Sequence, residues 1–296
     1  MARHNVIFGR DQAVQQGSHS GPQFGTSPQG GSRSQTQWSS GFEQQGGDQL
    51  EAMYARPAAT GHDTGRMTMR DALNAITATL GVIIIVGTVV AISPYVLGFV
   101  GGETGLQLGL LLTGVATVIG IVGGLVTGLI NAFKKVPSAA LVLLYALFEG
   151  LLLGGISGAM EYVYSGIALQ AVTGTLLVAG TVLLFQHLGI LRTSPAMNRI
   201  IAIAMVAYLI FGLVNIGFLL ISGISLRDGW VGLAIGGLAV VMASYCLVGD
   251  FEDVKASVNG GVPRVYAWRC AFGIAVSMVW LYIEILRIIA ILRGND

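Results

Sequence analysis

The sequence predicts an all-α polytopic membrane protein: seven transmembrane helices behind a disordered amino-terminal tail. Three observations predict it. Seven long apolar runs crowd residues 73 to 292. The chain is 53% hydrophobic and only 10% charged, with mean hydropathy +0.72, whereas a soluble domain carries about 25% charged residues. The first 66 residues are polar and rich in Gly, Gln and Ser, with almost no aliphatic side chains. A stretch of that composition cannot bury enough apolar surface to offset its ordering entropy. The domain boundary therefore falls between a cytoplasmic tail, 1–66, and a membrane domain, 67–296. No cleavable signal peptide is expected, because the first apolar run begins so far into the chain.

A bilayer core about 30 Å thick takes about 20 helical residues. The spans are expected at 73–93, 106–131, 138–160, 167–188, 199–223, 229–249 and 268–292. Pro94 closes the first, and Lys134, Lys135 and Pro137 separate the second from the third. Residues 161–166 give only a weak break before the fourth. Arg192 to Pro195, Arg227 with Asp228, and the run Asn259 to Pro263 end the fourth, fifth and sixth. Pro, Gly and charge clusters between apolar runs are loop signals. The count becomes six if the last run re-enters the membrane instead of crossing it.

Basic residues set the orientation. Arg56, Arg66 and Arg70 precede the first span, and Lys134, Lys135, Arg192, Arg199, Lys255, Arg264 and Arg269 fall in even-numbered connections. Only Arg227 and Arg293 lie opposite. Cytoplasmic loops are enriched in Lys and Arg, which puts the amino terminus and the even-numbered loops in the cytoplasm, on the inner side of the cell membrane, and the carboxyl end outside. Gly120, Gly124 and Gly128, then Gly150, Gly154 and Gly158, then Gly232 and Gly236 recur every fourth residue. Small residues so spaced form one helix face that lets backbones approach closely in lipid. They are packing surfaces.

Chemistry is expected where ionisable groups sit within apolar runs. Glu149 lies 14 residues beyond Lys135 and Glu284 lies 16 beyond Trp268, roughly 21 and 24 Å from the same side at about 1.5 Å per residue. Acidic side chains at such depth are costly, and their default reading is functional. Facing each other, the two would titrate as a unit and hold a proton or a cation. Alternatively each is neutralised separately and only tethers helices, with Arg287, one turn along, as the partner of Glu284. Asp250 follows the sixth run directly and could turn inward, whereas Glu252 and Asp253 read as interface residues. His187 reads as an interfacial anchor and Asn215 as a hydrogen-bonding tether. Two cysteines, Cys246 and Cys270, rule out a disulfide framework or a CxxC metal site and read as free thiols. No nucleotide loop, catalytic-triad spacing or HExxH motif occurs, so the chain does not read as an enzyme, and nothing points to nucleic acid.

The stretches YALFEGLLLGGISGAMEYVYSGIALQAVTGT (145–175) and GDFEDVKASVNGGVPRVYAWRCAFGIAVSMVWLYIEILRIIAILR (249–293) resemble helices three, four, six and seven of the Bax inhibitor-1 (transmembrane Bax inhibitor motif) family. GRMTMRDALNAIT (65–77) is similar to the first-helix entry of a bacterial subgroup. The resemblance covers roughly residues 65 to 293. It implies a seven-helix fold with the last helix in the centre and a pH-sensitive calcium leak sensed by two aspartates. LYIEI (281–285) matches one aspartate setting, so Glu284 takes that place, and the other aspartate maps to Asp250. The 34-residue separation of Asp250 from Glu284 departs from the family hairpin; a turn at Gly261 sets Leu238 level with Glu284, leaving Glu149 the better neighbour by depth. Ion or proton sensing is thus expected of Glu284, Glu149, Asp250 and Arg287, with Glu284 and Glu149 as candidate metal ligands. No cofactor is implied beyond calcium as a permeant ion. Besides the bilayer, a partner membrane protein is implied by the rival reading: a non-transporting regulator of membrane proteases or other membrane proteins, with the tail as docking element. Proton-coupled solute transport would need an inverted repeat, and none is evident.

Overall fold

The computed structural model describes residues 65–294. The expected tail therefore lies outside the described residues, except Gly65 and Arg66, which belong to the fold. The Arg264 amide donates to the Gly65 carbonyl at 2.9 Å and the Met67 amide to that of Val262 at 2.8 Å, and Arg66 bridges to Pro263. This clip leads directly into the first helix. Thr68 caps it reciprocally with Asp71, which in turn accepts an ion pair from Arg264 at 2.7 Å. Such a capping box satisfies amides that a helix start otherwise leaves open.

Among the described residues six helices are long and apolar enough to cross a membrane: α1 (Met69–Phe133), α2 (Ala139–Val163), α3 (Ile167–His187), α4 (Pro195–Ser222), α5 (Gly229–Asn259) and α6 (Ala267–Gly294), the last entered through a 3-10 turn at Arg264–Tyr266. The starts and ends fall near the expected ones, with α5 running on for ten residues past the apolar run and through Asp250 to Asp253. The first two expected spans are one element of 65 residues.

That element is broken at Gly102, whose φ of 60° and ψ of −142° lie outside helical geometry. Only glycine adopts such angles readily. The chain doubles back there. A side-chain carbon at Gly98 would lie 3.3 Å from Leu106 Cβ, one at Gly105 would strike the Leu97 carbonyl, and one at Gly109 would strike Pro94 Cα. Residues 69–101 and 103–133 are thus two antiparallel arms. Pro94 ends no helix, contrary to expectation, and is instead fully buried against Gly109.

The glycine ladders pack as expected. On the second arm Gly120 meets Leu152, Gly124 meets Glu149, and Gly128 meets the Tyr145 ring. Gly150, Gly154 and Gly158 meet Val86, Gly87 and Ala91 on the first arm. Helix α2 is therefore wedged between both arms, parallel to one and antiparallel to the other. Helix α6 packs against α1, α2, α3 and α5, and its buried side chains run from Ala267 to Leu286. Helix α4 differs from the others: none of its residues is buried.

Candidate functional site

Glu284 is almost fully enclosed, at 1% exposure. Helix α6 carries it, and three groups from three places converge on its carboxylate. Arg287, one turn on, donates to Oε1 at 3.0 Å. Arg227, from the α4–α5 connection, reaches Oε2 at 3.1 Å and Oε1 at 3.3 Å. The Tyr208 hydroxyl, from the middle of α4, donates to Oε1. Arg227 also donates to the Tyr208 oxygen at 2.5 Å, and its guanidinium carbon stands 5.1 Å from the centre of that ring. Trp280, one turn before Glu284, closes the other side, its ring centre 5.5 Å from that of Tyr208.

Local sequence explains how an arginine written beside an aspartate in a loop arrives inside. Helix α4 ends at Gly223 in left-handed geometry. Asn215 Oδ1 then accepts from the Leu226 amide at 2.7 Å, and the Ser225 hydroxyl accepts from the Arg227 amide at 3.1 Å. These bonds fold the connection back toward the bundle. A side-chain carbon at Gly232 would strike the Arg227 carbonyl, and one at Gly236 would lie 2.9 Å from Ile288 and 3.9 Å from Glu284 Oε2. The ladder in α5 therefore makes room for the cluster. Asn215 acts inside the connection, a more local task than the cross-helix tether expected.

The other expected acids are placed elsewhere. Helices α2 and α6 run parallel: Tyr145 packs edge-on against Phe272 at 4.9 Å, and Ser157 hydrogen-bonds Tyr282 at 2.7 Å. Interpolating between these contacts sets Glu149 beside about residue 275, roughly 13 Å below Glu284 at 1.5 Å per residue. The equal depth expected of Glu149 and Glu284 is thus corrected. Counting from Lys135 and Trp268 ignored the different points at which the two helices enter. Glu149 is buried at 7% exposure, and its Oε2 has no hydrogen-bond partner. Asp250 accepts from Ser277 at 2.5 Å, seven residues before Glu284 on α6, so its expected pairing with Glu284 is replaced by a hydroxyl bond, about 10 Å lower by helix rise. Together with the Gly236–Ile288 contact this register also sets residues near Val241, rather than Leu238, level with Glu284.

Glu252 binds the amide and hydroxyl of Thr193 across the α3–α4 connection. Cys246 and Cys270 are free and partly covered, and His187 is exposed at the end of α3. Among the described residues no group of three or more His, Cys, Asp or Glu side chains stands close enough together to hold a metal ion.

Of the cluster, Glu284 and Arg287 are among the residues singled out from the sequence, whereas Arg227 and Tyr208 are not. A tyrosine in the middle of an apolar helix needs a hydroxyl partner, and that was the available signal.

Six membrane-length helices around buried charge define an integral, multi-pass membrane protein. The chain matches the family model described as Bax inhibitor 1 like over residues 10–294, so it belongs to the Bax inhibitor 1-like family. No curated protein and no solved structure matches it.

Proposed function

We propose that the chain is a pH-sensitive calcium or cation leak of the cytoplasmic membrane, with the Glu284 cluster as its closed-state latch. The observation that carries this reading is the convergence of α4, the α4–α5 connection and α6 on one enclosed carboxylate. Two guanidiniums against one carboxylate leave an excess positive charge, which repels cations wherever water is scarce. Opening requires Glu284 to leave Arg227, after which the free carboxylate attracts the ion. Calcium takes six to eight oxygens; Glu284 and Tyr208 would contribute, and backbone carbonyls and water supply the remainder. A cleft of about 540 Å³, lined by Tyr164, Asp228 and Arg287 among others, reaches the cluster from one end of the bundle.

In this reading both arms of α1 cross the bilayer, giving seven spans with α6 in the middle, the amino terminus in the cytoplasm and the carboxyl end outside. Support comes from the reversal at Gly102, the packing of α6 on four other helices, and the basic residues of the even connections.

Replacing Glu284→Gln and measuring calcium flux into liposomes across a pH series tests the proposal. The expected result is a flattened pH response with reduced flux at the permissive pH. Unchanged flux together with an unchanged pH response overturns it. It would leave the non-transporting regulator, a reading to which α4 lends weight because its apolar surface buries no residue against its own chain.

A further inference from the structure

Glu149 takes no part in the latch, and its surroundings are unlike those of Glu284. Helix α2 holds it against the second arm of α1, where a side-chain carbon on Gly124 would lie 3.0 Å from its Oε1. The other carboxyl oxygen, Oε2, is enclosed and unpartnered. Among the described residues Glu149 has no ion pair, in contrast to the doubly paired Glu284. The elements packed around it bring no opposite charge. On the second arm of α1 Gly124 faces the carboxyl, with the buried Thr127 one turn along the same arm. On α6 the level of Glu149 falls between Phe272, which packs on Tyr145, and Tyr282, which is engaged with Ser157. On the far flank of α6, Asp250 is engaged with Ser277. On α2 itself the titratable neighbour is Tyr145, one turn earlier.

We infer that the Glu149 carboxyl is a proton-binding site, loaded while α1 and α2 are packed together, and that separation of the two helices releases its proton.

A carboxylate buried without a counter-charge is among the costliest arrangements a protein can hold, and one proton removes the cost. A metal ion does not fit the same place. Calcium needs at least six oxygens, whereas the Thr127 hydroxyl is already donated to the Gly123 carbonyl at 2.6 Å and no group of three or more His, Cys, Asp or Glu side chains gathers there among the described residues. Protonation removes the charge from the enclosed group and turns the orphan oxygen from a charged acceptor into a neutral hydroxyl donor. Once α1 and α2 part, water reaches the group and the proton leaves. The inference stands on the α1–α2 interface and does not depend on the leak reading.

Infrared spectroscopy of the full chain in liposomes at pH 7 tests it, through the carbonyl stretch of protonated carboxylic acids, which is resolved from that of carboxylates. The expected result is a protonated-acid band in the wild-type protein, absent in Glu149→Gln and retained in Glu284→Gln. A wild-type spectrum with carboxylate bands alone overturns the inference, as does a band that survives Glu149→Gln. Should Glu149→Gln fail to fold, Gly124→Ala serves, because its methyl group crowds Oε1 while leaving the carboxyl in place. The band then shifts in frequency if it belongs to Glu149, and an unmoved band assigns the proton to another acid.

Discussion

Arg227 illustrates how much one side chain can hold in a bundle with few charges. It joins the α4–α5 connection to α6 through Glu284 and to α4 through Tyr208, and only 13% of its side chain is exposed. Removing one member of a buried ion pair typically costs about 3–5 kcal/mol, because the partner stays behind uncompensated. Here Arg287 and Tyr208 remain on Glu284, which places Arg227→Ala toward the lower end, about 3 kcal/mol. Arg227→Lys should recover part of that loss. All three contacts come from Nη2, and an ammonium with three donors can replace one nitrogen, although it stacks less well on the ring. Thermal unfolding in detergent checks both, and near-wild-type midpoints would mean that the cluster fastens nothing. Neither this arginine nor its role was legible in the sequence. Its neighbour Asp228 and its position between two apolar runs are those of an ordinary loop charge. What turns it inward is a set of backbone bonds to Asn215 and Ser225, too local and too particular for hydropathy to register.

At the scale of elements, packing between α1 and α2 rests on backbones that touch. A methyl group on Gly154 would lie 2.5 Å from the Gly87 carbonyl oxygen and 2.9 Å from Gly87 Cα, so backbone would have to yield. Overpacking of this kind costs about 1–3 kcal/mol. At Gly180, on α3, nothing lies within 4 Å, and alanine there gains helix propensity. Gly154→Ala is therefore expected to lower the unfolding midpoint in detergent, and Gly180→Ala to hold or raise it. Equal behaviour of the two would show that the ladder carries no close packing. Such ladders were legible from spacing alone, as were most helix starts, because both follow from composition repeated over many residues; the reversal at Gly102 and the continuation of α5 to Asn259 were not. The relative heights of Glu149 and Glu284 were not legible either, although the offset of Asp250 from Glu284 was. They depend on where each helix enters and on the register between neighbours, which are set by contacts such as Tyr145 on Phe272 and Asp250 on Ser277.

Across the whole molecule, the number of crossings turns on a single glycine. If α1 turns around at Gly102 at the membrane surface, the charges sort themselves: Glu103 falls on the side opposite Lys134 and Lys135, and the basic residues of the even connections share one face with the clip between Gly65 and Arg264. Were α1 instead to bury its reversal within the bilayer, the polar backbone around 101–103 would sit in hydrocarbon, which irregular lipid-exposed chain does not tolerate. The exposure of Phe99, Val100 and Glu103 is compatible with an interfacial turn. Cysteine labelling in intact cells decides the matter, starting from a chain in which Cys246 and Cys270 are replaced. Glu103→Cys is expected to react with a membrane-impermeant maleimide added outside, whereas Lys134→Cys should react only after the cells are opened. Protection of both positions until permeabilisation would remove the first pair of crossings while leaving every loop behind them on its expected side, since two crossings lost together restore the same orientation.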